Sequence, residues 1–231
     1  MDAERVKFMR GIFRGPLLKF RENLLMMAGL TDRNFTMALN AYLERDDAKA
    51  EMVEAEDEVV DRLEMEMDEM VVSYIATHGA VATTCRLMIT ASKISEGLEN
   101  FADQAVTIAR RARVLNQLEP IAVPVDVLGV GKMVLANMRE CITTFVDVEP
   151  DRAATLVKKD KEIDQLTKGF EKDLQEFMAE NPSAIVQCMH LLIIIRALER
   201  AGDNVKKIAG DVHFLYTAQD IRHEGSSSLE S

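Results

Sequence analysis

Leu198-Glu199-Arg200-Ala201-Gly202-Asp203 has an echo one hundred positions earlier, Leu98-Glu99-Asn100-Phe101-Ala102-Asp103, and both runs continue to an Ile-Ala pair, Ile108-Ala109 and Ile208-Ala209. A chain that repeats itself at long spacing folds as repeated units, so this match speaks to architecture before it speaks to chemistry. Each copy reads Leu-Glu-x-x-x-Asp. On a helix that spacing stacks two carboxylates on one face, one turn apart. Like charges so placed disfavour the helix slightly, and a cation held between them removes the penalty.

Working outward, an offset of 103 places Tyr42 on Phe145, Val53 on Leu156, Asp57 on Asp160, Val60 on Ile163, Asp61 on Asp164 and Leu63 on Leu166. The three-residue difference between the offsets falls in the turn between two helices, where length changes are tolerated. The periodicity predicts helices over about 17–44, 48–77 and 81–118, then 125–146, 150–180 and 183–216. Leu25, Ala28, Phe35, Leu39 and Tyr42 form the apolar side of the first, and Val53, Val60, Leu63, Met67, Met70 and Tyr74 that of the second. His78-Gly79 ends the second helix, with glycine as the residue past the terminus. Pro150 opens the fifth at a first-turn position, and Asn181-Pro182 closes it. The stretch from Glu119 to Pro124 holds two prolines and marks the boundary between halves. The expected fold is all-α, a tandem repeat of two three-helix bundles. Its divisions are a basic N-terminal segment (1–16), a first repeat (17–120), a second repeat (121–217) and a Ser-rich flexible tail (218–231).

Composition agrees. Hydrophobic residues make up 48% of 231 and tryptophan is absent, so a packed core is within reach and helix formers dominate. The formal net charge of −11 argues against nucleic-acid binding, which needs a basic face, and suits cations or basic surfaces as partners. Cys85, Cys141 and Cys188 show no CxxC spacing and read as reduced core residues of a cytoplasmic protein. Neither a signal peptide nor an uninterrupted apolar run of membrane-span length is present. Residues 2–21 form a basic amphipathic segment, with Arg5, Lys7, Arg10 and Arg14 interleaved by Val6, Met9, Ile12 and Phe13. It reads as a helix capping the bundle, or as the one stretch suited to touch a membrane surface or an acidic partner.

The chemistry-bearing residues are carboxylates. Asp160 lies in line with Leu156, Ile163, Phe170 and Leu174, and Asp57 between Val53 and Val60. An aspartate in a core stripe is costly unless paired or metal-bound. Antiparallel neighbours bring Asp57, Asp61, Glu99 and Asp103 together in one repeat, and Asp160, Asp164, Glu199 and Asp203 in the other. Oxygen-only sets select hard or borderline cations, and bundles build such sites from facing helices. None of the histidines follows a glutamate by three residues, which counts against a di-iron oxygenase or a ferritin-type oxidase. His190 reads as a helix contact. Ala201-Gly202 and Ala102 leave the backbone bare for a close neighbour. No phosphate loop or nucleophile elbow occurs.

The run Leu191 to Val205, followed by Ile208 to Leu215 and Asp220-Ile221-Arg222-His223, resembles the C-terminal repeat of the PhoU family of phosphate-transport regulators. The first repeat resembles it at Asp57-Glu58-Val59-Val60-Asp61-Arg62-Leu63-Glu64, at Arg86-Leu87-Met88-Ile89, and at Leu98-Glu99 and Asp103. The resemblance implies two three-helix bundles, frequent dimerisation and a cytoplasmic location. It implies restraint of the phosphate-starvation response together with a phosphate ABC transporter ATPase and a sensor histidine kinase. It further implies iron or zinc, with manganese and magnesium behind them, at Asp57, Asp61, Glu99 and Asp103 and at Asp160, Asp164, Glu199 and Asp203. The chain departs from the family pattern at Asn100, Ala102, Asn204 and Lys207. Lys207, one turn beyond Asp203, stands as a candidate internal counter-ion. The primary expectation is a non-enzymatic regulator that binds partner proteins and metal. The alternatives are a carboxylate-bound metalloenzyme such as a phosphohydrolase, and a regulator of a secondary phosphate transporter.

Overall fold

A computed structural model describes residue 13 and residues 15–79 and 82–221. Most of the basic N-terminal segment, the start of the third helix at Val81 and the end of the tail lie outside the described residues. Among the described residues six α-helices follow one another: α1 (Leu18–Glu44), α2 (Asp47–His78), α3 (Ala82–Asn116), α4 (Val127–Asp147), α5 (Pro150–Glu180) and α6 (Ile185–Thr217). Short 3-10 turns at Gly15–Leu17 and Pro182–Ala184 precede α1 and α6. The fold is all-α, two three-helix repeats in tandem.

The helix ends follow from local chemistry. Asp46 caps α2 by accepting from the Lys49 amide at 3.1 Å, and Asp126 caps α4 by accepting from the Gly129 amide at 2.8 Å. Pro150 opens α5, where its missing N–H costs nothing. Helix α1 ends on Arg45 and α4 on Val148, both left-handed, with matching bonds back to Ala41 and Thr144. The Arg45 guanidinium also donates to the Leu115, Asn116 and Leu118 carbonyls, closing the C-terminus of α3.

Within each repeat the three helices pack on one another, and the repeats meet through α3 against α6 and α1 against α4. One continuous apolar cluster runs through both. Helix α6 is long and apolar enough to cross a membrane by length and composition, although its longest uninterrupted apolar run is short. Part of that apolarity is used inside the protein, where α6 packs against α3, α4 and α5, while Ile185, Val186 and Met189 near its start are 44%, 54% and 50% exposed.

Most stripe residues lie where their spacing puts them. Val53, Val60, Leu63 and Met67 are buried, with Met70 and Tyr74 packed at the edge. Two details differ. In α1, Leu24 and Met27 enter the core, while Leu25 and Tyr42 are only half-buried. In α5, Leu166 is 36% exposed where Leu63 is 6%. Thr167 takes the inward place, its hydroxyl satisfied by the Ile163 and Asp164 carbonyls. Successive residues are about 100° apart around a helix, so a small roll of α5 exchanges one for the other. Cys141 and Cys188 are buried, Cys85 is half-buried, and all three are free thiols.

Two glycines mark close contacts between the repeats, Gly131 of α4 against Leu39 of α1 and Gly97 of α3 against Ile208 of α6. A Cβ on Gly97 lies 2.6 Å from Ile208 Cγ1, and Ile208 is fully buried. Gly97→Ala gains up to about 1 kcal/mol of helix propensity but overpacks this contact at a cost of about 1–3 kcal/mol. The expected net result is a destabilised protein, read as a lower urea midpoint; a raised midpoint would show that the helices part freely here.

Candidate functional site

Helices α2 and α3 run antiparallel. Ser92 of α3 donates to Asp68 of α2 at 2.5 Å, and Arg110 and Arg113 of α3 donate to Glu54 at 2.9 and 3.0 Å. This register lays Asp57 and Asp61 alongside Glu99 and Asp103. Burial and repulsion from Asp61 and Asp103 push the Asp57 carboxyl up to about 6. Burial and repulsion from Asp103, Glu64, Asp61 and Asp57 push Glu99 to about 7. Asp103 and Glu64 are raised for the same reasons, with Asp68 and Glu96 acting on Glu64. Arg110 opposes the shift at Asp57 and Asp103 but spends its hydrogen bond on Glu54. The first-repeat acids thus form a ridge of mutually repelling carboxylates, with Asp57, Glu64 and Glu99 half-buried and Asp61 and Asp103 exposed.

The four acids expected from the sequence come together here. Glu64 and Glu96 were missed, although Glu64 follows Asp61 by three residues and Glu96 precedes Glu99 by three, one helical turn in each case. Among the described residues, no group of three His, Cys, Asp or Glu side chains is placed to hold one metal ion. The acids lie along the two helices rather than around a point.

The second repeat is built differently. Asp160 is 3% exposed, and its Oδ2 accepts from Lys206 Nζ at 2.8 Å. Lys206 Nζ also lies 3.9 Å from Asp203 Oδ1. Burial still pushes Asp160 up against the pull of Lys206, and Asp160 in turn holds the lysine above its ordinary value. Glu199 is raised by burial and by Asp164, Glu171 and Asp203, with Lys168 opposing. The bare backbone at Gly202 is what admits Asp160: a Cβ on Gly202 lies 3.3 Å from Asp160 Oδ1. Asp160, Asp164, Glu199 and Asp203 therefore neighbour one another as expected, but the counter-ion is Lys206. Lys207 is exposed and makes no ion pair among those described, because one residue further along α6 points it about 100° away. The offset of 100 that matches the Glu-x-x-x-Asp runs sets Lys206 opposite the buried Val106, and that mismatch was the available signal.

The first-repeat acids offer the oxygen donors that a hard or borderline cation takes, and Arg110 offsets only part of their repulsion, although no three of them converge on one point. The second set does not fit a metal as it stands, because an ammonium already neutralises its most buried member. His190 is half-buried, with its Nδ1 unpartnered, and is lowered by burial and by Arg111. It stands apart from both acid sets.

The raised acids carry a pH consequence. Their folded-state values lie above those of an unfolded chain, so the folded state binds protons more tightly between about pH 4 and 7. Their contribution to stability is full below the unfolded value and is lost as pH rises through about 6 at Asp57 and about 7 at Glu99. Glu99→Gln is expected to stabilise the protein at pH 8 by about 1 kcal/mol, after discounting for solvent screening. The gain shrinks toward pH 5. Thermal unfolding of both proteins at the two pH values checks this, and equal midpoints at pH 8 would show a fully solvated carboxylate.

The PhoU domain matches residues 24–112 and again residues 127–212, one copy per repeat. The chain is 31% identical over 219 residues to the phosphate-specific transport system accessory protein PhoU homolog of Pseudomonas aeruginosa, covering 94% of this chain and 90% of that protein. It is 27% identical over 226 residues to the phosphate-specific transport system accessory protein PhoU of Escherichia coli, covering 97% and 93%. The crystal structure of PhoU from Pseudomonas aeruginosa superposes with a TM-score of 0.86 at 31% identity over 90% of this chain and 100% of that one. A phosphate transport system regulatory protein PhoU from Streptococcus pneumoniae shares the fold, with a TM-score of 0.81 at 21% identity over 88% of this chain and 96% of its own. A family model matched over both helical repeats, with relatives about one-third identical over nearly their full length, shows that this chain belongs to the PhoU family.

Proposed function

We propose that this protein is an accessory regulator of a phosphate-specific transport system, acting through protein contact rather than catalysis. The observation that carries the reading is the family match over both repeats, at nearly full length against relatives named for that system. Its partners on this reading are the transporter's ATPase and a sensor histidine kinase, met in the cytoplasm by a homodimer. The acid ridge on α2 and α3 supplies the cation site. Iron or zinc bound across Asp57, Asp61, Glu99 and Asp103 relieves the repulsion that raises Asp57 and Glu99.

The test is deletion of the gene in its host, with a phosphate-starvation reporter read at high phosphate. Derepression that the wild-type gene reverses supports the reading, and an unchanged reporter refutes it. Co-purification with the ATPase or the kinase at high phosphate separates regulation by contact from a metalloenzyme, whose signature is metal-dependent phosphoester turnover. Size-exclusion chromatography with light scattering reads the dimer.

A further inference from the structure

The two repeats present matched carboxylates but unmatched counter-ions. Lys206 stands where the first repeat has Val106, and both positions lie three residues beyond the aspartate of their Glu-x-x-x-Asp run. In the second repeat the Lys206 ammonium sits 2.8 Å from Asp160 and 3.9 Å from Asp203. It bridges one acid of α5 and one of α6, as a cation between those helices must. Asp160 is the most enclosed of the acids, and its Oδ1 has no hydrogen-bond partner. In the first repeat Val106 is buried and apolar and brings no charge to Asp57 or Asp103.

We infer that Lys206 is a built-in replacement for metal in the second repeat, so that this chain takes up cation at its first repeat alone. A lysine ammonium fixed by a short charge-assisted bond to a buried carboxylate repels an incoming divalent ion and occupies its oxygen. The inference rests on the cation reading of the first repeat for its metal-bearing half, and on the Lys206 geometry for the other half.

The experiment is metal content after loading with Zn2+ and desalting. It compares wild type with Asp103→Ala, Asp203→Ala, Lys206→Met and Val106→Lys. The expected result is that Asp103→Ala loses metal by about tenfold or more while Asp203→Ala retains the wild-type content. Lys206→Met is expected to gain roughly one ion per chain and to show a zinc-dependent rise in melting temperature. Val106→Lys is expected to lose the first-repeat ion with every carboxylate in place. Equal losses from Asp103→Ala and Asp203→Ala overturn the inference, and this comparison stands even if Lys206→Met folds poorly. A wild type that binds no zinc refutes the cation reading of the first repeat. In that event Lys206→Met still decides the lysine's part: a gain of metal upholds it and no gain overturns it.

Discussion

Truncating Phe101 to alanine is expected to cost the fold about 3–5 kcal/mol, the largest single effect predicted for this chain. Phe101 of α3 and Phe35 of α1 are both fully buried, with ring centroids 4.6 Å apart and planes tilted by 32°. The loss combines the transfer free energy of a buried ring, the cavity left between two long helices, and about 0.5–1.5 kcal/mol of ring–ring attraction. Helices this long cannot close the gap by shifting one residue, because α1 is also held by the Asp32–Arg139 pair to α4 and by the core on either side. Against a total stability of about 5–15 kcal/mol, the variant keeps a small margin at best. Urea unfolding checks this through a lowered midpoint at unchanged slope. Phe35→Ala combined with Phe101→Ala should cost less than the two losses added together, since the second truncation removes a ring whose partner is already gone. A loss below about 1 kcal/mol would mean that the space between α1 and α3 collapses far more easily than close-packed helices allow.

The second large effect sits at the ion pair. Lys206→Met is expected to destabilise the protein by about 2–3 kcal/mol at pH 8 and by much less at pH 5. Removing one partner of a buried pair strands the other's charge, which costs about 3–5 kcal/mol in full burial. The Lys206 side chain is 35% exposed, so water reaches the vacated place and the lower range applies. The pH dependence follows from the direction of the Asp160 shift. Burial already raises that carboxyl with the lysine present, and removing the cation raises it further. Its folded-state value then lies well above that of an unfolded chain, so stability falls as pH rises through it and returns as the acid takes a proton. A neutral Asp160 needs no counter-ion. Unfolding at the two pH values checks the prediction, and Asp160→Asn on the Lys206→Met background should recover much of the loss at pH 8. A pH-independent loss would assign the effect to the packing of the lysine stem and not to charge.

These two sites differ in how much of them could be read from the sequence. Phe101 lies within the Leu-Glu-x-x-x-Asp run and Phe35 on an apolar stripe, so the helical period alone places both inside. The same period supplies the six helices, the two repeats and the i, i+4 pairs Asp57–Asp61 and Glu99–Asp103. Each of these depends on spacing along one helix, or on a repeat of it, and spacing is a property of the chain. The roles of Lys206 and Glu64, the enclosure of Asp160 beside the half-burial of Asp57, the turning of Leu166 to solvent and the one apolar core shared by both repeats depend on which neighbour lies opposite. Lys206 and Lys207 are adjacent in sequence and about 100° apart on α6. Only the crossing of α5 over Gly202 selects the first of them for Asp160. The period of a helix names its inner face; the rotation and approach of the next helix decide which charge on that face is met, and that is settled by tertiary packing.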